Sequence, residues 1–247
     1  MSDSLLRHKT IWIIGANSDI AKALMLYITT ENCTLKLFSR DMISLQNFIE
    51  KNNIKAECIY FDITDRSQTE CLLQSFNTPD GIIITAGYLP CQNCMGDIAE
   101  INKTVASNYL GILVFLEKIK EKLKNDRCRF LCIVSSVGGD RGKSSNSIYA
   151  SSKSGLTCYL EGLEQELTPF GITVMIIKPI WIKTKMTGKD NKIQKSFISQ
   201  TPEQVAHKIY TAIINNRKGV RYTSLWAFCI SIIIRLIPGV IYRHLDI

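Results

Sequence analysis

Short apolar segments alternate with amphipathic segments along most of the chain. The apolar segments are rich in β-branched residues, which is typical of strands buried on both faces of a sheet. They lie at residues 10–14, 34–38, 56–61, 81–85, 129–134 and 173–177, and a last strand is expected at 219–223. Helical patterns separate them at residues 18–30, 42–52, 66–76, 97–124 and 148–168. The alternation predicts an α/β fold, with a doubly wound parallel sheet in three α/β/α layers and a ligand crevice at the carboxyl ends of the strands.

The regular alternation stops after the sixth predicted strand. Residues 179–200 have no periodic pattern, and in a compact domain a segment of this length is typically functional, so we interpret it as a substrate lid. Thr201, Pro202 and Gln204 then have the spacing of a capped helix start. This helix is expected to run to about residue 216.

The C-terminal segment is apolar and basic. Residues 225–234 are mostly apolar and are followed by Arg235 and Pro238. A membrane-spanning helix needs about twenty residues, so this segment is too short and too interrupted to cross a bilayer. It can lie in the interface of an anionic membrane, or pack against a partner subunit or the core. We therefore divide the chain into a domain at 1–223 and an apolar, basic helical tail at 224–247.

Charge is distributed unevenly over the 247 residues, whose net charge is +8. Residues 1–177 hold 18 Lys and Arg against 19 Asp and Glu, whereas residues 178–247 hold 12 against 3. Such a basic block attracts polyanions. Because it coincides with the lid and the apolar tail, we connect it with a phosphorylated substrate or an anionic membrane surface, and we expect no nucleic-acid partner.

Composition excludes several classes of protein. With 46% hydrophobic and 21% charged residues, the chain is not disordered, collagen-like or a coiled coil. The N-terminal apolar segment is too short for a secretory leader, so a cytoplasmic location is expected, at the inner face of the membrane if the tail binds there. The nine cysteines are then expected to be free thiols. Cys91 and Cys94 form a CxxC, but there is no second pair of ligands at similar spacing, and we expect no metal site.

A glycine turn follows the first predicted strand. Gly15 precedes Asn17, Ser18 and Ile20 at the start of an amphipathic helix. Such a turn presents backbone N–H groups and the positive end of the helix dipole to the diphosphate of a dinucleotide. Alone it does not exclude an ordinary strand-to-helix turn, because it has one of the usual three glycines.

Two charged residues follow the second and third predicted strands. Arg40 lies where dinucleotide-binding folds contact the adenosine ribose, and a guanidinium matches a 2′-phosphate. It predicts NADP(H) in preference to NAD(H), without excluding NAD(H). Asp41 is expected to cap the next helix. Asp62 is placed either to reach the adenine amino group or to cap its own loop.

Tyr149 and Lys153 have the spacing that places both side chains on one helix face. The pair alone is weak evidence, because chance produces such pairs. Its context adds weight. Ser136 lies thirteen residues before Tyr149 and directly after a predicted strand, and Asn108 lies in the helix before that strand. All four are expected at the carboxyl-end rim of the sheet.

Together these motifs resemble the short-chain dehydrogenase/reductase family over nearly the whole chain. The matching segments are the Gly15 turn, FDITD with Asp62 and Ile63, Ala86-Gly87, SNYLG with Asn108, VSSVGG with Ser136, YASSK with Tyr149 and Lys153, and KPIWIKT with Pro179, Ile182 and Thr184. The resemblance implies a Rossmann-like fold, NAD(P)-dependent hydride transfer between a ketone and an alcohol, and a homodimer or homotetramer. The implied catalytic tetrad is Asn108, Ser136, Tyr149 and Lys153. The implied cofactor contacts are Gly15, Asn17, Ser18, Ile20, Arg40, Asp62, Ile63, Ala86, Gly87, Tyr149, Lys153, Pro179, Ile182 and Thr184.

The tetrad has a physical rationale. Ketone reduction needs a proton at the oxygen as hydride reaches the carbon, and a phenol with a pKa of about 10 is a poor match to neutral pH. A shift toward 7 requires about three units, or roughly 4 kcal/mol, which we expect Lys153 and the oxidised nicotinamide to supply together. Lys153 would also hold the nicotinamide ribose. Ser136 would donate to the substrate oxygen, and Asn108 would order a water that resupplies the proton.

Several positions depart from the family pattern. Ile14, Asp19 and Ala21 replace Thr, Gly and Gly in the glycine turn, Thr85 replaces Asn, and Ile180 replaces Gly. Asp19 matters most, because a carboxylate near a diphosphate costs Coulomb energy, although the first turn of a helix favours it. This departure bears on cofactor affinity rather than on the fold.

The lid and tail decide the expected substrate, because related reductases share their core. The lid carries the lysines Lys183, Lys185, Lys189, Lys192 and Lys195. A cationic lid beside an apolar tail fits a substrate with a phosphate and a lipid chain. The modified turn and the tail are also similar to the decaprenylphosphoryl-2-keto-ribose reductases, which implies a keto sugar on polyprenyl phosphate. The alternatives are a reductase of 3-oxoacyl thioesters or another lipophilic ketone, and a non-catalytic dinucleotide sensor, against which the Ser136, Tyr149 and Lys153 set argues.

Overall fold

The computed structural model describes residues 5–90, 97–126, 128–188 and 191–244. Within these residues the centre is a seven-stranded parallel sheet in the order β3-β2-β1-β4-β5-β6-β7. The strands are β1 (Thr10–Ile14), β2 (Thr34–Ser39), β3 (Ala56–Tyr60), β4 (Gly81–Ile84), β5 (Phe130–Val134), β6 (Thr173–Lys178) and β7 (Gly219–Tyr222). Every bound lies within one residue of its prediction, and the doubly wound Rossmann-like fold is confirmed.

Both faces of the sheet are buried. In β1, Ile11 and Ile13 enter one core, whereas Trp12 and Ile14 enter the other, as the two-residue repeat of a strand requires. All five residues of β5 are buried. This double burial explains why the central strands have nearly continuous apolar sequences.

Helices form the outer two layers. They are α1 (Asp19–Ile28), α2 (Met42–Lys51), α3 (Arg66–Ser75), α4 (Ile98–Val105), α5 (Gly111–Asn125), α6 (Ser147–Leu167), α7 (Asn191–Lys195), α8 (Pro202–Ile214), α9 (Leu225–Leu236) and α10 (Gly239–Tyr242). Helices α1 and α8 cover one face of the sheet, and α5 and α6 cover the other. The predicted capping box at Thr201 and Gln204 is present.

One predicted helix contains a turn of a different kind. The helix expected at 97–124 runs from Ile98 to Asn125, and a π-helical turn at Ala106–Leu110 joins α4 to α5 within it. The turn contains Asn108, whose side chain is fully buried. Gly111 follows it so close to the loop after β3 that a Cβ there would lie 2.5 Å from the Ile63 carbonyl oxygen. Side-chain periodicity does not reveal such a local widening of the helix.

The lid has paired ends and contains a short helix, α7, that the sequence pattern did not predict. Its base is closed by a bridge between Ile182 and Gln200, with Lys183 N–H donating to Gln200 O and Gln200 N–H donating to Trp181 O, both at 2.9 Å. The side chain of Gln200 also donates to Thr223 O at 3.2 Å. These contacts hold the two ends of the lid next to each other.

The tail forms α9 and α10. Ala227 and Ser231 of α9 are buried against the domain, while larger apolar side chains of both helices are exposed. In the described part of the chain, no helix combines the length and apolar character needed to traverse a bilayer.

Candidate active site

The glycine turn is shaped by a close approach to β4. Gly15 has a φ of +82°, and a Cβ there would lie 2.5 Å from the backbone nitrogen of Ala86. Both the backbone conformation and the contact exclude a side chain. This is a cradle of the kind that backbone-mediated dinucleotide binding needs.

Thr85, one of the departures from the family pattern, fastens the turn. Its Oγ1 donates to Gly15 O at 2.9 Å and accepts from Ser18 Oγ at 3.0 Å. Ser18 also caps α1, since its Oγ accepts from Ala21 N–H at 3.1 Å. The hydroxyl groups thus connect the end of β4 to the start of α1.

Asp19 has a partner in the lid. Its Oδ2 accepts a hydrogen bond from Lys185 N–H at 2.8 Å. Lys22, one turn along α1, lies close enough to both residues for their charges to affect its pKa, which burial lowers most. The carboxylate expected to oppose a diphosphate is therefore engaged with the lid and a neighbouring cation.

Arg40 and Asp62 lie together at the carboxyl ends of β2 and β3. Arg40 Nη1 is 3.5 Å from Asp62 Oδ2, and 56% of the Arg40 side chain is exposed. Asp62 Oδ1 accepts from the backbone N–H and hydroxyl of Thr64 at 2.9 and 2.8 Å, so Asp62 does cap its loop. Asp41 caps α2, as expected. Arg40 keeps an exposed guanidinium at the position predicted for a 2′-phosphate.

Lys22 is a second cation at this edge that the sequence did not single out. Its Nζ donates to Ser44 Oγ at 3.2 Å, and Ser44 Oγ donates to Asn17 Oδ1 at 3.1 Å. The sequence could have indicated this residue, because Lys22 lies about one turn into the helix that follows the glycine turn. A lysine there is close to the end of the sheet at which the cofactor is expected.

Asn108 and Lys153 converge on Gly87. A Cβ on Gly87 would lie 3.1 Å from Asn108 Oδ1 and 3.5 Å from Lys153 Nζ. The Asn108 amide is fixed, because Oδ1 accepts from Tyr88 N–H at 2.8 Å and Nδ2 donates to Tyr88 O at 2.6 Å. The structure thus brings together three residues that the sequence predicted separately.

Lys153 is a buried cation at the end of β5. Its side chain donates to Val134 O at 3.1 Å, and the residue is 3% exposed. Burial lowers the pKa of Lys153 to about 8, because the ammonium loses hydration. The amine is therefore poised to change charge just above neutral pH.

Ser136 and Tyr149 form the second pair. A side-chain hydrogen bond with Ser136 lowers the pKa of Tyr149, but burial raises it by more. Desolvation of the phenolate thus outweighs this hydrogen bond in the protein alone, and the lowering of the Tyr149 pKa by Lys153 together with an oxidised nicotinamide stays a prediction. Ser136 Oγ accepts from Gly138 N–H at 3.0 Å, so its hydroxyl proton is still able to donate.

The remaining predicted contacts lie around the same edge. Pro179 O accepts from Val137 N–H at 3.0 Å, which joins the end of β6 to the Ser136 turn. Thr184 N–H donates to Thr187 Oγ1 at 3.1 Å within the lid. Ile20, Ile63 and Ile182 are buried. These cofactor assignments remain predictions.

One buried acidic residue near the tetrad escaped the sequence analysis. Asp140 lies four residues after Ser136, and its side chain has no exposed surface. The segment between Ser136 and Tyr149 contains no other acidic residue, while the distant tail carries Arg235 and Arg243. This single acidic residue, set against the arginines of the tail, was the sequence feature that could have indicated a contact between the two segments.

The residues present fit a dinucleotide. The Gly15 cradle would be filled by any Cβ, Arg40 supplies an exposed cation, and buried Lys153 lies beside Gly87. Cys91 and Cys94 lie outside the described residues. Among the residues that are described, no cluster of three or more His, Cys, Asp or Glu could hold a metal ion.

A parallel sheet with a glycine cradle and a Ser-Tyr-Lys set at the same edge defines a dinucleotide-dependent oxidoreductase. Comparison with known proteins gives the particular family. The model described as short chain dehydrogenase matches residues 9–195, and the chain belongs to that family.

Individual relatives are distant. The chain is 23% identical over 225 residues to the ketoacyl reductase HetN of a Nostoc species, covering 87% of this chain and 78% of the relative. It is 22% identical over 247 residues to dehydrogenase/reductase SDR family member 7B of Xenopus laevis, covering 91% and 76%.

Solved structures share the fold. A short chain dehydrogenase from Burkholderia cenocepacia in complex with NADP has a TM-score of 0.82 at 16% identity, covering 98% of this chain and 99% of that one. A short-chain dehydrogenase from Sphingobium yanoikuyae in complex with NADPH has a TM-score of 0.77 at 19% identity, covering 87% and 88%.

Proposed function

We propose that the protein is an NADP(H)-dependent reductase that converts a ketone to a secondary alcohol. The observation that carries the proposal is the meeting of Ser136 Oγ and the Tyr149 ring at Gly138, where a Cβ would lie 3.3 and 3.6 Å from them, together with the Asn108–Lys153 pair at Gly87. A bound NADPH would supply hydride to the carbonyl carbon, which would leave its nicotinamide ring positively charged. The side chains of this chain supply the proton and hold the oxygen.

Tyr149 donates the proton to the carbonyl oxygen. Ser136 donates a hydrogen bond to the same oxygen while negative charge develops there, and the hydrogen bond from Gly138 N–H helps to hold its Oγ in place. The Lys153 ammonium stabilises the phenolate that proton donation leaves. Asn108, fixed by Tyr88, lies beside Lys153 and orders the water through which the proton is resupplied.

NADP(H) is the preferred cofactor in this proposal. Arg40 keeps an exposed guanidinium beyond β2, and Lys22 adds a cation near Asn17 and Ser44. Two proteins with the same fold were solved with NADP and NADPH, which supports the preference.

The proposed substrate is lipophilic and phosphorylated, and we favour a keto sugar linked to polyprenyl phosphate. Exposed aromatic side chains of the lid and tail meet, since Phe197 and Trp226 contact edge to face with ring centroids 5.7 Å apart. Lys185 lies on the lid beside the cofactor edge, within range of Lys22. Apolar surface beside cations suits a lipid chain that carries a phosphate.

A second candidate is a reductase of 3-oxoacyl thioesters. It is favoured by the similarity to HetN of Nostoc, which is described as a ketoacyl reductase. The same lid lysines would then bind the phosphate of the thioester carrier. The complete Ser136, Tyr149 and Lys153 set argues against a non-catalytic sensor.

The tail is the proposed contact with the inner face of the membrane. Leu225, Leu236 and Val240 are 76%, 75% and 63% exposed, and basic residues surround them in a segment with few acidic residues. Apolar side chains among cations match the interface of an anionic leaflet. The same surface is the place to look for a subunit contact, since a homodimer or homotetramer is also proposed.

The identity of the substrate can be tested with labelled cofactor. Lipid extracts incubated with the protein and deuterium-labelled NADPH are expected to yield an alcohol that carries one deuterium and a polyprenyl phosphate, detected by mass spectrometry. A labelled 3-hydroxyacyl thioester, obtained from an acyl-thioester mixture instead, would favour the second candidate. A Tyr149→Phe control must yield neither product.

A further inference from the structure

A buried carboxylate joins the C-terminal helix to the turn that carries Ser136. Asp140 closes the single helical turn that follows Ser136, and its side chain has no exposed surface. Its Oδ2 accepts from Ser231 Oγ at 2.5 Å, and its Oδ1 accepts from Arg235 Nη2 at 2.6 Å. Oδ1 also pairs with the buried Nζ of Lys178. Two of these three partners belong to α9.

The turn between Ser136 and Asp140 is tightly packed. Gly138 N–H donates to Ser136 Oγ at 3.0 Å. Gly139 approaches α6 so closely that a Cβ there would lie 2.8 Å from the carbonyl carbon of Lys153. A shift of the Asp140 carboxylate is therefore carried over one helical turn to Ser136, because the residues between them have no room to absorb it.

Neighbouring residues strengthen the connection to the tail. Arg141 Nη1 donates to Ile234 O at 2.6 Å and also to Ile237 O, so it satisfies carbonyls at the end of α9. Its guanidinium lies 3.8 Å from the ring centroid of Tyr242 in α10. Tyr222 of β7 contacts Ser231 Oγ at 2.7 Å.

The burial of the Asp140 carboxylate explains why its contacts with Ser231 and Arg235 matter. A buried carboxylate has lost its hydration, so its oxygens need hydrogen bonds from the protein. Losing such a bond costs more free energy in the interior than at the surface. Without the contacts from Ser231 and Arg235, Asp140 would keep only Lys178 and would turn toward water. The Ser136 turn would then follow it.

We propose that α9 is a working part of the active site, because Ser231 and Arg235 act through Asp140 to hold the Ser136 turn in its catalytic position. Asp140, Ser231 and Arg235 are positioning residues in this account, since Ser136 is the group that meets the substrate. This proposal rests on the proposed function only for its kinetic test, because hydrogen exchange can be measured without a substrate.

The test uses the full chain with the double substitution Ser231→Ala and Arg235→Gln. Asp140 is left unchanged, because removing it would leave Lys178 as an unpaired buried cation. Leu236→Ala, at a 75% exposed position of the same helix, is the matched control. Arg235→Lys is the conservative variant that should restore the contact.

Hydrogen exchange measured by mass spectrometry on the peptide at 135–142 is the first readout. The double variant is expected to exchange about tenfold faster there, with NADPH affinity within about twofold of the wild type, whereas the control is unchanged. With the identified ketone, kcat is expected to fall about tenfold at an unchanged KM. Arg235→Lys should recover most of both losses.

Unchanged exchange in this peptide would overturn the proposal, whatever the activity. So would faster exchange throughout the chain with a parallel loss of NADPH affinity, because that marks a merely structural role. Faster exchange confined to the peptide, in a protein that reduces no ketone, would support the coupling while rejecting the proposed function.

Discussion

The carboxylate of Asp19 accepts a hydrogen bond from the backbone N–H of Lys185, at 2.8 Å. The contact joins the first turn of α1, where a cofactor diphosphate is expected, to the lid. A residue that breaks the glycine pattern of the family thus gains a structural role in this chain, and its negative charge lies close to Lys22.

Replacing Asp19 by Asn keeps an acceptor for the lid but removes the charge. We expect NADPH to bind about two- to fivefold more tightly at low salt, because one repulsive charge near the diphosphate is lost, and the gain should shrink as salt is added. Fluorescence titration measures it. Asp19→Ala, which also removes the acceptor, should speed hydrogen exchange in the lid. Weaker binding by the Asn variant at low salt would contradict this view.

Arg40 is expected to distinguish the two nicotinamide cofactors. A charge-assisted contact contributes about 1.5–3 kcal/mol, and the 56% exposure of Arg40 favours the lower end, so Arg40→Gln should weaken NADPH binding about tenfold. NADH binding should change less than about twofold. The control is Lys51→Gln, an exposed lysine at the other end of α2. Equal losses for both cofactors would remove Arg40 from the 2′-phosphate site.

The buried amine of Lys153 predicts a pH dependence. Burial lowers its pKa to about 8, so the ammonium is present below that pH and is lost above it. In the proposed mechanism the ammonium stabilises the Tyr149 phenolate, so kcat/KM for ketone reduction should fall as pH rises through about 8. In Lys153→Arg, which stays charged, the fall should move to higher pH. A profile that is flat from pH 7 to 9.5 would argue against this role.

Membrane binding is tested on the outer face of the tail. Replacing Leu225, Leu236 and Val240 by Ser should lower binding to anionic vesicles about a hundredfold, because each side chain contributes about 1 kcal/mol when it enters the interface. Ile43→Ser with Ile98→Ser removes equally exposed apolar residues elsewhere. Flotation with vesicles measures both. Unchanged flotation together with a loss of oligomers would assign this face to a subunit contact.

Deleting the whole tail would be a poor test of the membrane proposal. Helix α9 supplies Ser231 and Arg235 to the buried Asp140, so a truncated chain would lose these contacts together with its apolar surface. Substitutions on the exposed face separate the two effects.

Much of the fold could be predicted because each central strand is buried on both faces, and its apolar run is therefore almost as long as the strand. Helix ends were predictable where a side chain caps them, as at Thr201 and Asp41. The π-helical turn at Asn108 was not, since a single extra residue in a turn leaves the amphipathic pattern on either side intact.

The resemblance to the family implied the candidate tetrad, but the sequence could not reveal how distant segments meet. Asp140 and Ser231 are 91 residues apart, and Asp19 and Lys185 are 166 apart. Each contact depends on where the lid and tail settle after the sheet has formed. The pKa of Tyr149 was also out of reach, because it depends on burial that spacing does not show.

The most direct test of the proposed reduction is the Tyr149→Phe variant, measured for NADPH binding and for deuterium transfer from labelled NADPH to the ketone. The phenol oxygen delivers the proton in this account, so binding should stay within about twofold of the wild type while transfer falls by about a thousandfold. Ser151→Ala, at an exposed position of the same helix, should leave both unchanged. Transfer at a rate near that of the wild type in Tyr149→Phe would contradict the account.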